Sequence, residues 1–286
     1  MIKQAIIPLA GLGTRLLPIT SVIPKELLPI NGKPAFEYIL EECIEAGIKE
    51  VVFIISDKKK DIKNYFYKDS FYKKIIKKKK KDKRIKFEYE KIKKYKKMIK
   101  FVYQNKALGT GDAVLKCKNF IKSSHFLMLL PDDLIIKKNC SLDMIKLHNR
   151  YKVSIIASKK VNKKEVSRWG IFKIKKFINK NNFIINDVIE KPKIAEAPSR
   201  NAIIGRYILP KKIFALLKKQ RKGKGGEIHI TDAIKKLINE NDETFFGHNF
   251  LGKYLDCGTM KGYINSSREI SNIWNYVWLV LVMLAL

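Results

Sequence analysis

The first 56 residues constrain the fold more than any other part of the chain, because they combine two buried strands with a helix between them. Ile2–Leu9 is a short apolar run. Phe36–Ala46 has apolar residues at helical spacing and is followed by Gly47, a residue that favours the end of a helix. Lys49–Ser56 is again apolar and rich in β-branched residues. Two buried strands joined through a helix predict a βαβ unit, whose strands are parallel.

The remaining chain continues this alternation, with more strands in its second half. Further strands are predicted at Ile99–Tyr103, Phe126–Leu130, Val153–Ser158, Trp169–Ile174, Phe183–Glu190 and Ala202–Leu209. Further helices are predicted at Ala113–Phe120, Leu142–Arg150, Ile213–Lys219 and Thr231–Asn239, the last with Thr231 as its N-cap. This order predicts an α/β fold with a Rossmann-like, mostly parallel central sheet flanked by helices and a smaller β-rich part.

The net charge of +33 comes from 60 Lys and Arg against 27 Asp and Glu, in a chain that is 46% hydrophobic. About half of it lies in Lys58–Lys100, where 20 lysines and one arginine face five acids, an excess of 16. Apolar residues in this segment predict a helical face with a lysine-coated exterior: Phe66, Tyr67, Phe71, Tyr72, Ile75 and Ile76. We interpret the segment as a solvated peripheral excursion.

A charge of this size is typical of nucleic-acid-binding proteins. Eight of the 60 basic residues are arginine, the side chain that recognises phosphate and guanine in a bidentate way, and the other 52 are lysine. No nucleic-acid-recognition motif accompanies the lysines. We therefore expect no specific nucleic-acid partner and interpret the lysine excess as compositional drift. A basic nucleic-acid-binding protein remains the distant alternative.

The four cysteines (Cys43, Cys117, Cys140 and Cys257) lie far apart and form no C-x-x-C pair. This spacing argues against a disulfide framework or a zinc site, so we expect a cytoplasmic protein in a reducing compartment.

The end of the chain, residues 271–286, is an atypical hydrophobic tail. Its apolar part, Ile273–Leu286, has 14 residues, whereas about 18–20 are needed to span a bilayer. Stable membrane insertion is therefore not expected. The tail is interpreted as a truncated or frameshifted end, or as a helix that docks in an oligomer interface. A tail anchor is the third interpretation. A homo-oligomer is the expected assembly.

Two motifs near the N-terminus carry candidate chemistry. Ala10–Arg15 follows the first strand, and glycines there let backbone N–H groups approach phosphate oxygens. It lacks the Gly-Lys-Ser/Thr of a P-loop, and Leu16 stands where a dinucleotide fingerprint has its third glycine. Pro24–Pro29 then holds Lys25 between two prolines, as a fixed charge for phosphate. Taken alone, the glycine motif is also compatible with a tight turn between a strand and a helix. Lys25 taken alone is compatible with a solvated surface lysine.

Taken together and in order, these motifs resemble the signature of the sugar-nucleotidyltransferase family. The resemblance covers about residues 1–270 and continues in Gln104–Val114, Leu130–Asp133, Val188–Lys193, Pro198–Leu209, Gly226–Ile234 and Asp256–Thr259. It is closest to the bacterial uridylyl enzymes. Thymidylyl relatives typically have Lys-Gln-Leu-Leu-Pro and Gly-Asp-Asn, where this chain has Lys25-Glu26-Leu27-Leu28-Pro29 and Pro131-Asp132-Asp133.

The resemblance implies transfer of uridylyl from UTP to glucose 1-phosphate, with UDP-glucose and pyrophosphate as products and Mg²⁺ as cofactor. A sister enzyme such as a thymidylyltransferase is the alternative. It also implies one nucleotidyltransferase domain over residues 1–270. The nucleotide-binding half would be 1–135, including the 58–100 excursion, and the sugar-phosphate half would be 136–270.

Roles for individual residues follow from the same resemblance. The triphosphate is assigned to the backbone of Ala10, Gly11, Leu12, Gly13 and Thr14. The uracil edge is assigned to Gln104 and Gly109, since an amide offers both a donor and an acceptor. The catalytic residues are Arg15, which would hold the leaving pyrophosphate, Lys25 and Lys191.

The sugar phosphate is assigned to Gly170, Glu190 and Lys191, and the metal to Asp132 and Asp256. A turn-capping aspartate before Cys257-Gly258 remains the alternative for Asp256. Two positions depart from the family pattern. Trp169 stands where the family usually has tyrosine, and Asp112 where the relatives often have histidine.

Overall fold

The predicted βαβ unit forms the beginning of the central sheet. The computed structural model describes residues 2–240 and 242–285, with side chains described for all of these except 224 and 274–285. The strands are β1 (Gln4–Pro8), β2 (Pro29–Ile30), β3 (Lys33–Pro34), β4 (Glu50–Ile55), β5 (Ile99–Tyr103), β6 (His125–Leu129), β7 (Asp133–Ile136), β8 (Ser154–Lys160), β9 (Gly170–Phe177), β10 (Asn182–Glu190), β11 (Asn201–Pro210), β12 (Phe245–Asn249) and β13 (Lys253–Asp256). The helices are α1 (Ala35–Glu45), α2 (Lys60–Tyr67), α3 (Ser70–Lys78), α4 (Lys83–Met98), α5 (Thr110–Lys116), α6 (Cys140–Tyr151), α7 (Ile213–Lys219), α8 (Ile230–Asn239) and α9 (Met260–Ala285).

The central sheet has the strand order β5-β4-β1-β6-β11-β8-β12-β10-β9. Strands β5, β4, β1 and β6 are mutually parallel, and β12 is parallel to β8. Because β11 and β10 pair antiparallel with all their neighbours, seven of these nine strands run in one direction. The α/β fold with its mostly parallel sheet is confirmed, and the reversed strands lie in the β-rich second half of the chain.

Helices cover both faces of the sheet, as its continuous apolar strands require. Along β1 the side chains alternate, so that Ala5 and Ile7 belong to one buried cluster and Ile6 to the other. The first cluster is completed by α1, α2, α4 and α6, and the second by α5, α7 and α8. This two-sided core fixes the ends of the strands, from which the candidate site is built.

Most predicted elements are present, with shifts at their ends. Gly47 has φ of +80° directly after the cap of α1, the conformation for which glycine is suited. Helix α5 begins at Thr110, three residues before its predicted start. Thr231 is not the N-cap of α8 as predicted, because the helix begins at Ile230 and is capped by His229.

The lysine-rich segment is less solvated than predicted. Three helices, α2 to α4, form it, and Phe66 packs in the core while Phe71 is 67% exposed. Two of its lysines reach inward. Lys59 is buried, and Lys91 Nζ lies 3.0 Å from a carboxylate oxygen of the fully buried Glu37. The interpretation of the whole segment as solvated periphery is therefore wrong for these two positions.

Helix α9 carries the backbone of the predicted tail. The side chains of the tail from residue 274 onward, and residue 286 entirely, lie outside the described residues. Among the described residues, no helix combines the length and the apolar character needed to cross a membrane.

Candidate active site

The predicted site residues gather where parallel strands end. Strand β1 leads into the glycine-containing loop, β5 leads into Gln104, and β6 leads into the turn Leu130–Asp133. Backbone hydrogen bonds hold these strand ends side by side, since Leu9 N–H donates to the Ile54 carbonyl and Gln104 N–H donates to the Ile55 carbonyl. The carboxyl ends of parallel strands are the usual location of ligand sites in open α/β sheets.

Two neighbouring cavities lie at this edge of the sheet. The glycine-loop cavity, of about 420 Å³, contains Ala10, Gly11, Leu12, Gly13, Thr14, Lys25, Gln104 and Gly109 in its wall. The hairpin cavity, of about 380 Å³, contains Arg15, Gly170, Glu190, Lys191 and Asp256 in its wall. Thr110, Leu130 and Asp132 line both. Every predicted site residue therefore lines one of two adjoining cavities, which meet at Asp132.

Asp132 is held by two cations at this junction. Its Oδ2 accepts a hydrogen bond from Lys25 Nζ at 2.9 Å and another from Arg15 Nη2 at 3.3 Å. The Lys25 side chain is 14% exposed, whereas Arg15 is 63% exposed. Lys25 is thus fixed in the wall, while the guanidinium of Arg15 remains accessible to an anion.

Electrostatic interactions keep both Lys25 and Asp132 charged. Burial alone would lower the pKa of Lys25, but the carboxylates of Asp132 and Glu26 outweigh it and raise that pKa. Burial would likewise raise the pKa of Asp132, yet the attraction and hydrogen bond of Lys25 lower it. The junction therefore presents a permanent ammonium group and a permanent carboxylate.

The neighbouring Asp133 behaves differently. Its two carboxylate oxygens accept hydrogen bonds from Gly205 N–H at 2.9 Å and Tyr254 Oη at 2.7 Å. Burial, reinforced by the charge of Asp132, raises the pKa of Asp133 to about 6. Asp133 thus fixes the turn to β11 and β13, and Asp132 is the aspartate that faces both cavities.

Asp132 and Asp256 point toward one small space above Gly258. A Cβ at position 258 would lie 2.8 Å from Asp132 Oδ2, 3.2 Å from Asp256 Oδ1 and 2.8 Å from Arg15 Nη2. The two carboxylates are the ligand type that a hard divalent cation takes, and in this structure the Arg15 guanidinium lies against the same space. No cluster of three or more His, Cys, Asp or Glu that could hold a metal ion is present in residues 2–240 and 242–285. Asp256 also caps its turn, because Gly258 N–H donates to its Oδ1 at 2.8 Å.

The predicted base-reading segment is preorganised by its own hydrogen bonds. Gln104 is buried, and its Nε2 donates to the Gly109 carbonyl at 3.1 Å and to Asp112 Oδ2 at 2.8 Å. Both N–H groups of the amide are used in this way. In this arrangement the amide carbonyl oxygen is the group left for a base, and the role of Gln104 in reading the base remains a prediction. Asp112, which departs from the family pattern, orients that amide.

Glycine is required at two positions of this cavity for different reasons. Gly13 has φ of +73°, and a Cβ there would lie 3.3 Å from Thr20. Gly109 has φ of +92°, and its Cβ would overlap the Ile228 carbonyl at 2.7 Å. The first glycine lets the loop turn, and the second lets residues 227–228 close over the base-reading segment.

The β9–β10 hairpin supplies the outer wall of the hairpin cavity. Its ends are paired, with Gly170 opposite Glu190, and a Cβ on Gly170 would lie 3.0 Å from Glu190 Oε2. Lys191 follows with φ of +47°, a left-handed conformation unusual for lysine, and its N–H donates to the Trp169 carbonyl. Such strain is typical of functional positions. Glu190 and Lys191 are both more than half exposed, so they are accessible to a ligand.

Comparison with known proteins identifies the family of the chain. The family model described as Nucleotidyl transferase matches residues 4–273. The chain belongs to the nucleotidyl transferase family. The resemblance inferred from the ordered motifs is therefore confirmed.

Relatives and solved structures of this nucleotidyl transferase cover nearly the whole chain. It is 37% identical to the UTP–glucose-1-phosphate uridylyltransferase of Mycoplasma pneumoniae, over 93% of this chain and 91% of the relative. It is 36% identical to the enzyme of the same name from Pseudomonas aeruginosa, over 93% and 95%. It matches a UTP-bound UGPase from Acinetobacter baumannii with a TM-score of 0.86, 32% identity, and coverage of 98% and 99%. A UDP-glucose pyrophosphorylase complexed with UDP-glucose matches with a TM-score of 0.83, 34% identity, and coverage of 95% and 99%.

Several residues that support the site of this nucleotidyl transferase are not recognisable from the sequence. Arg206 is fully buried, and its Nη1 donates to the Leu130 carbonyl at 3.2 Å, just before the aspartate turn. Tyr254 fixes Asp133, and Lys59 is paired with Glu26 beside Lys25. The only sequence signal for Arg206 is a charged residue inside an apolar strand. Lys59 gives no signal among its neighbouring lysines.

Proposed function

We propose that this nucleotidyl transferase transfers the uridylyl group of UTP to glucose 1-phosphate, which gives UDP-glucose and pyrophosphate. The observation that carries the proposal is the junction of the two cavities at Asp132, with Lys25 fixed 2.9 Å away. A nucleotide in one cavity and a sugar phosphate in the other would meet there. The uridylyltransferases that share 36–37% identity over 93% of the chain support the same substrates.

The reaction joins a phosphate oxygen of glucose 1-phosphate to the α-phosphorus of UTP and breaks the bond to pyrophosphate. The nucleophile is already an anion, so no side chain has to remove a proton. What the protein must supply is in-line positioning and compensation of charge on the phosphates. A site rich in fixed cations suits that task.

The cations divide this work between the cavities. Lys25, buried and charged, would bridge phosphate oxygens near the reacting phosphorus. The exposed guanidinium of Arg15 would hold the leaving pyrophosphate. Lys191 would bind the phosphate of the sugar, and Glu190 beside Gly170 would accept hydrogen bonds from sugar hydroxyls.

The glycine loop and the base-reading segment would position the nucleotide. The backbone of Ala10, Gly11, Leu12, Gly13 and Thr14 would cradle the triphosphate, and a Cβ on Gly11 would meet no protein atom within 4 Å, which leaves space for a ligand. The Gln104 carbonyl oxygen would accept from the uracil imide, and Gly109 would supply a backbone contact. Both segments then fix the α-phosphorus relative to Lys25.

Enzymes of this family generally use a divalent metal. Asp132 and Asp256 would hold it, and we propose Mg²⁺ because carboxylate and phosphate oxygens suit a small hard cation. When bound, the ion would neutralise phosphate charge and polarise the phosphoryl group. Asp132 already contacts Lys25 and Arg15, so it would orient both cations toward the same phosphates.

We further propose that residues 1–270 form one nucleotidyltransferase domain, with a nucleotide half (1–135) and a sugar-phosphate half (136–270). The two cavities support this division, since the glycine loop lines one and the β9–β10 hairpin lines the other. A homo-oligomer and a cytoplasmic location remain predictions from the sequence.

The test is pyrophosphate release with purified protein and Mg²⁺ across UTP or dTTP and glucose 1-phosphate or galactose 1-phosphate. We expect release with UTP and glucose 1-phosphate and much slower release with the other pairs. Activity with dTTP alone would replace the uridylyl assignment by the thymidylyl one. Absence of release with every pair would overturn the proposal.

A further inference from the structure

One lysine of the lysine-rich segment is buried beneath the candidate active site. Lys59 is 7% exposed, and its ammonium contacts both carboxylate oxygens of Glu26, at 2.9 and 2.7 Å. The same ammonium donates to the Leu9 carbonyl at 2.7 Å. Glu26 is 2% exposed and Leu9 is fully buried. All three hydrogens of Lys59 Nζ are therefore directed at two fixed groups inside the protein.

These two groups belong to two of the loops that form the glycine-loop cavity. Leu9 directly precedes Ala10, the first residue of the glycine loop. Glu26 directly follows Lys25 in the loop between the two prolines. Lys59 itself follows β4 and precedes α2, so a third element ties the other two together.

We propose that the Lys59–Glu26 pair is a positioning device for the reaction, which sets Lys25 in register with the glycine loop. This inference rests on the proposed function, because Lys25 is assigned there to the phosphates near the reacting centre. Lys59 does not line either cavity and acts through Glu26 and Leu9.

Energetics favour this role over simple stabilisation. A buried ion pair gives little net stability, because the loss of hydration offsets the attraction, and apolar residues of similar size often do as well. Burial lowers the pKa of Lys59 and raises the pKa of Glu26, because the loss of hydration disfavours the charged form of each group. What the pair provides, and an apolar contact would not, is a fixed geometry between two loops.

Three variants separate positioning from folding. Lys59→Met removes the ammonium at similar volume but leaves the Glu26 charge buried. Glu26→Gln combined with Lys59→Met removes both charges, so no unpaired charge remains. Lys58→Met is the matched control, because Lys58 is the adjacent lysine and is exposed. The measurements are kcat and KM for UTP and for glucose 1-phosphate, together with the melting temperature from circular dichroism.

We expect the double variant to regain most of the melting temperature that Lys59→Met loses. We expect its kcat to stay about 100-fold below that of the unchanged protein, the scale of loss when reacting groups are misplaced by about 1 Å. The KM for glucose 1-phosphate should change much less, since that ligand lies in the other cavity. Lys58→Met should match the unchanged protein in every measurement.

A kcat equal to that of the unchanged protein, in whichever of the two Lys59 variants folds, would overturn the inference. So would a kcat that recovers together with the melting temperature in the double variant, because this is the result of a merely structural role. Lack of activity in the unchanged protein and in Lys58→Met would instead count against the proposed function.

Discussion

At the scale of single residues, one carboxylate organises the candidate site. Asp132 lies in the walls of both cavities and accepts hydrogen bonds from Lys25 and Arg15. Its position depends on Asp133, which is bound by the Gly205 amide and the Tyr254 hydroxyl. Two consecutive aspartates therefore have separate tasks, because Asp133 is bound by β11 and β13 at the wall of one cavity, whereas Asp132 lines both cavities.

Loss of the buried ammonium should impair turnover. For Lys25→Ala we expect kcat to fall by about 10²–10³, the usual effect of removing one group that stabilises developing charge. Steady-state pyrophosphate release measures this. Lys33→Ala is a suitable control, because Lys33 is also a partly buried lysine paired with a carboxylate, that of Glu41, but it lines neither cavity. Near-normal kcat for Lys25→Ala would remove this lysine from the mechanism, and the same holds for Lys191→Ala.

Removal of one metal-facing charge should change the response to Mg²⁺. For Asp132→Asn we expect activity to require a higher Mg²⁺ concentration, because the amide binds a hard cation more weakly than the carboxylate does. A Mg²⁺ titration of initial rates measures the shift. Asp143→Asn, an aspartate outside both cavities, controls for the loss of charge. An unchanged titration for Asp132→Asn would contradict the assignment of Asp132 to the metal.

At the scale of elements, a buried network holds the turn that follows β6. Arg206 in β11 donates through Nε and Nη2 to the carboxylate of Glu42 in α1, at 2.8–3.1 Å, and through Nη1 to the Leu130 carbonyl. Ser141 at the start of α6 also donates to Glu42. The network joins a helix on one face of the sheet to the strand end that carries Asp132.

Disruption of this network should lower stability. Arg206→Met leaves the Glu42 carboxylate buried without its partner, so we expect a loss of about 3–5 kcal/mol in the free energy of unfolding. Urea denaturation followed by circular dichroism measures it. Arg168→Met breaks an exposed arginine–glutamate pair and should cost less than about 1 kcal/mol. Similar losses in both variants would contradict the account.

Glu50, the first residue of β4, should make the stability of the protein depend on pH in the acid range. Burial would raise the pKa of Glu50, but hydrogen bonds from Lys100 and Gln4 outweigh it and lower that pKa below about 4.5. The ionised form is thus favoured by folding. Its contribution is present above about pH 4.5 and is lost as the pH falls through the lowered pKa. The difference in unfolding free energy between the unchanged protein and Glu50→Gln should therefore shrink from about pH 7 to about pH 3.5.

Urea denaturation at several pH values checks this expectation. Lys100→Met removes the main donor to Glu50 and should reproduce the weaker acid dependence of Glu50→Gln. A difference between the unchanged protein and Glu50→Gln that stays constant over this range would contradict it.

At the scale of the whole molecule, the chain carries a net charge of +33, and the proposed substrates are anions. Most of the lysines of α3 and α4 are exposed and contribute to a positive field, although some of them also form ion pairs, such as Lys73 with Asp69. Such a field accelerates the encounter with charged ligands and is screened by salt. We therefore expect it to act on capture of the substrate and not on the chemical step.

This distinction can be measured. We expect kcat/KM for UTP to fall with rising ionic strength while kcat changes little, since the Debye length shrinks from about 30 Å at 0.01 M to about 10 Å at 0.1 M. Replacement of Lys77 and Lys78 in α3 by glutamine should weaken the dependence on salt. A value of kcat/KM that is independent of salt would show that the field has no role in capture of UTP.

Much of the fold could be predicted from the sequence, because strand and helix periodicities are local. The βαβ start, the strands β9 and β10 and the segment Leu130–Asp133 after β6 were all visible as patterns of neighbouring residues. The start of α8 was misplaced, because Thr231 is a good capping residue by type but the chain begins the helix one residue earlier. The directions of β10 and β11 could not be derived, because strand pairing depends on distant segments.

The sequence by itself determined the family and the set of candidate site residues, since these follow from short motifs and their order along the chain. The tertiary structure alone decided that these residues line two cavities that meet at Asp132. It also decided which lysines lie inside. Lys58, Lys59 and Lys60 cannot be told apart in the sequence. Of these three lysines only Lys59 is buried, where it donates hydrogen bonds to Glu26 and Leu9. The reason is physical, because burial and pairing are set by contacts between segments that are far apart in the chain.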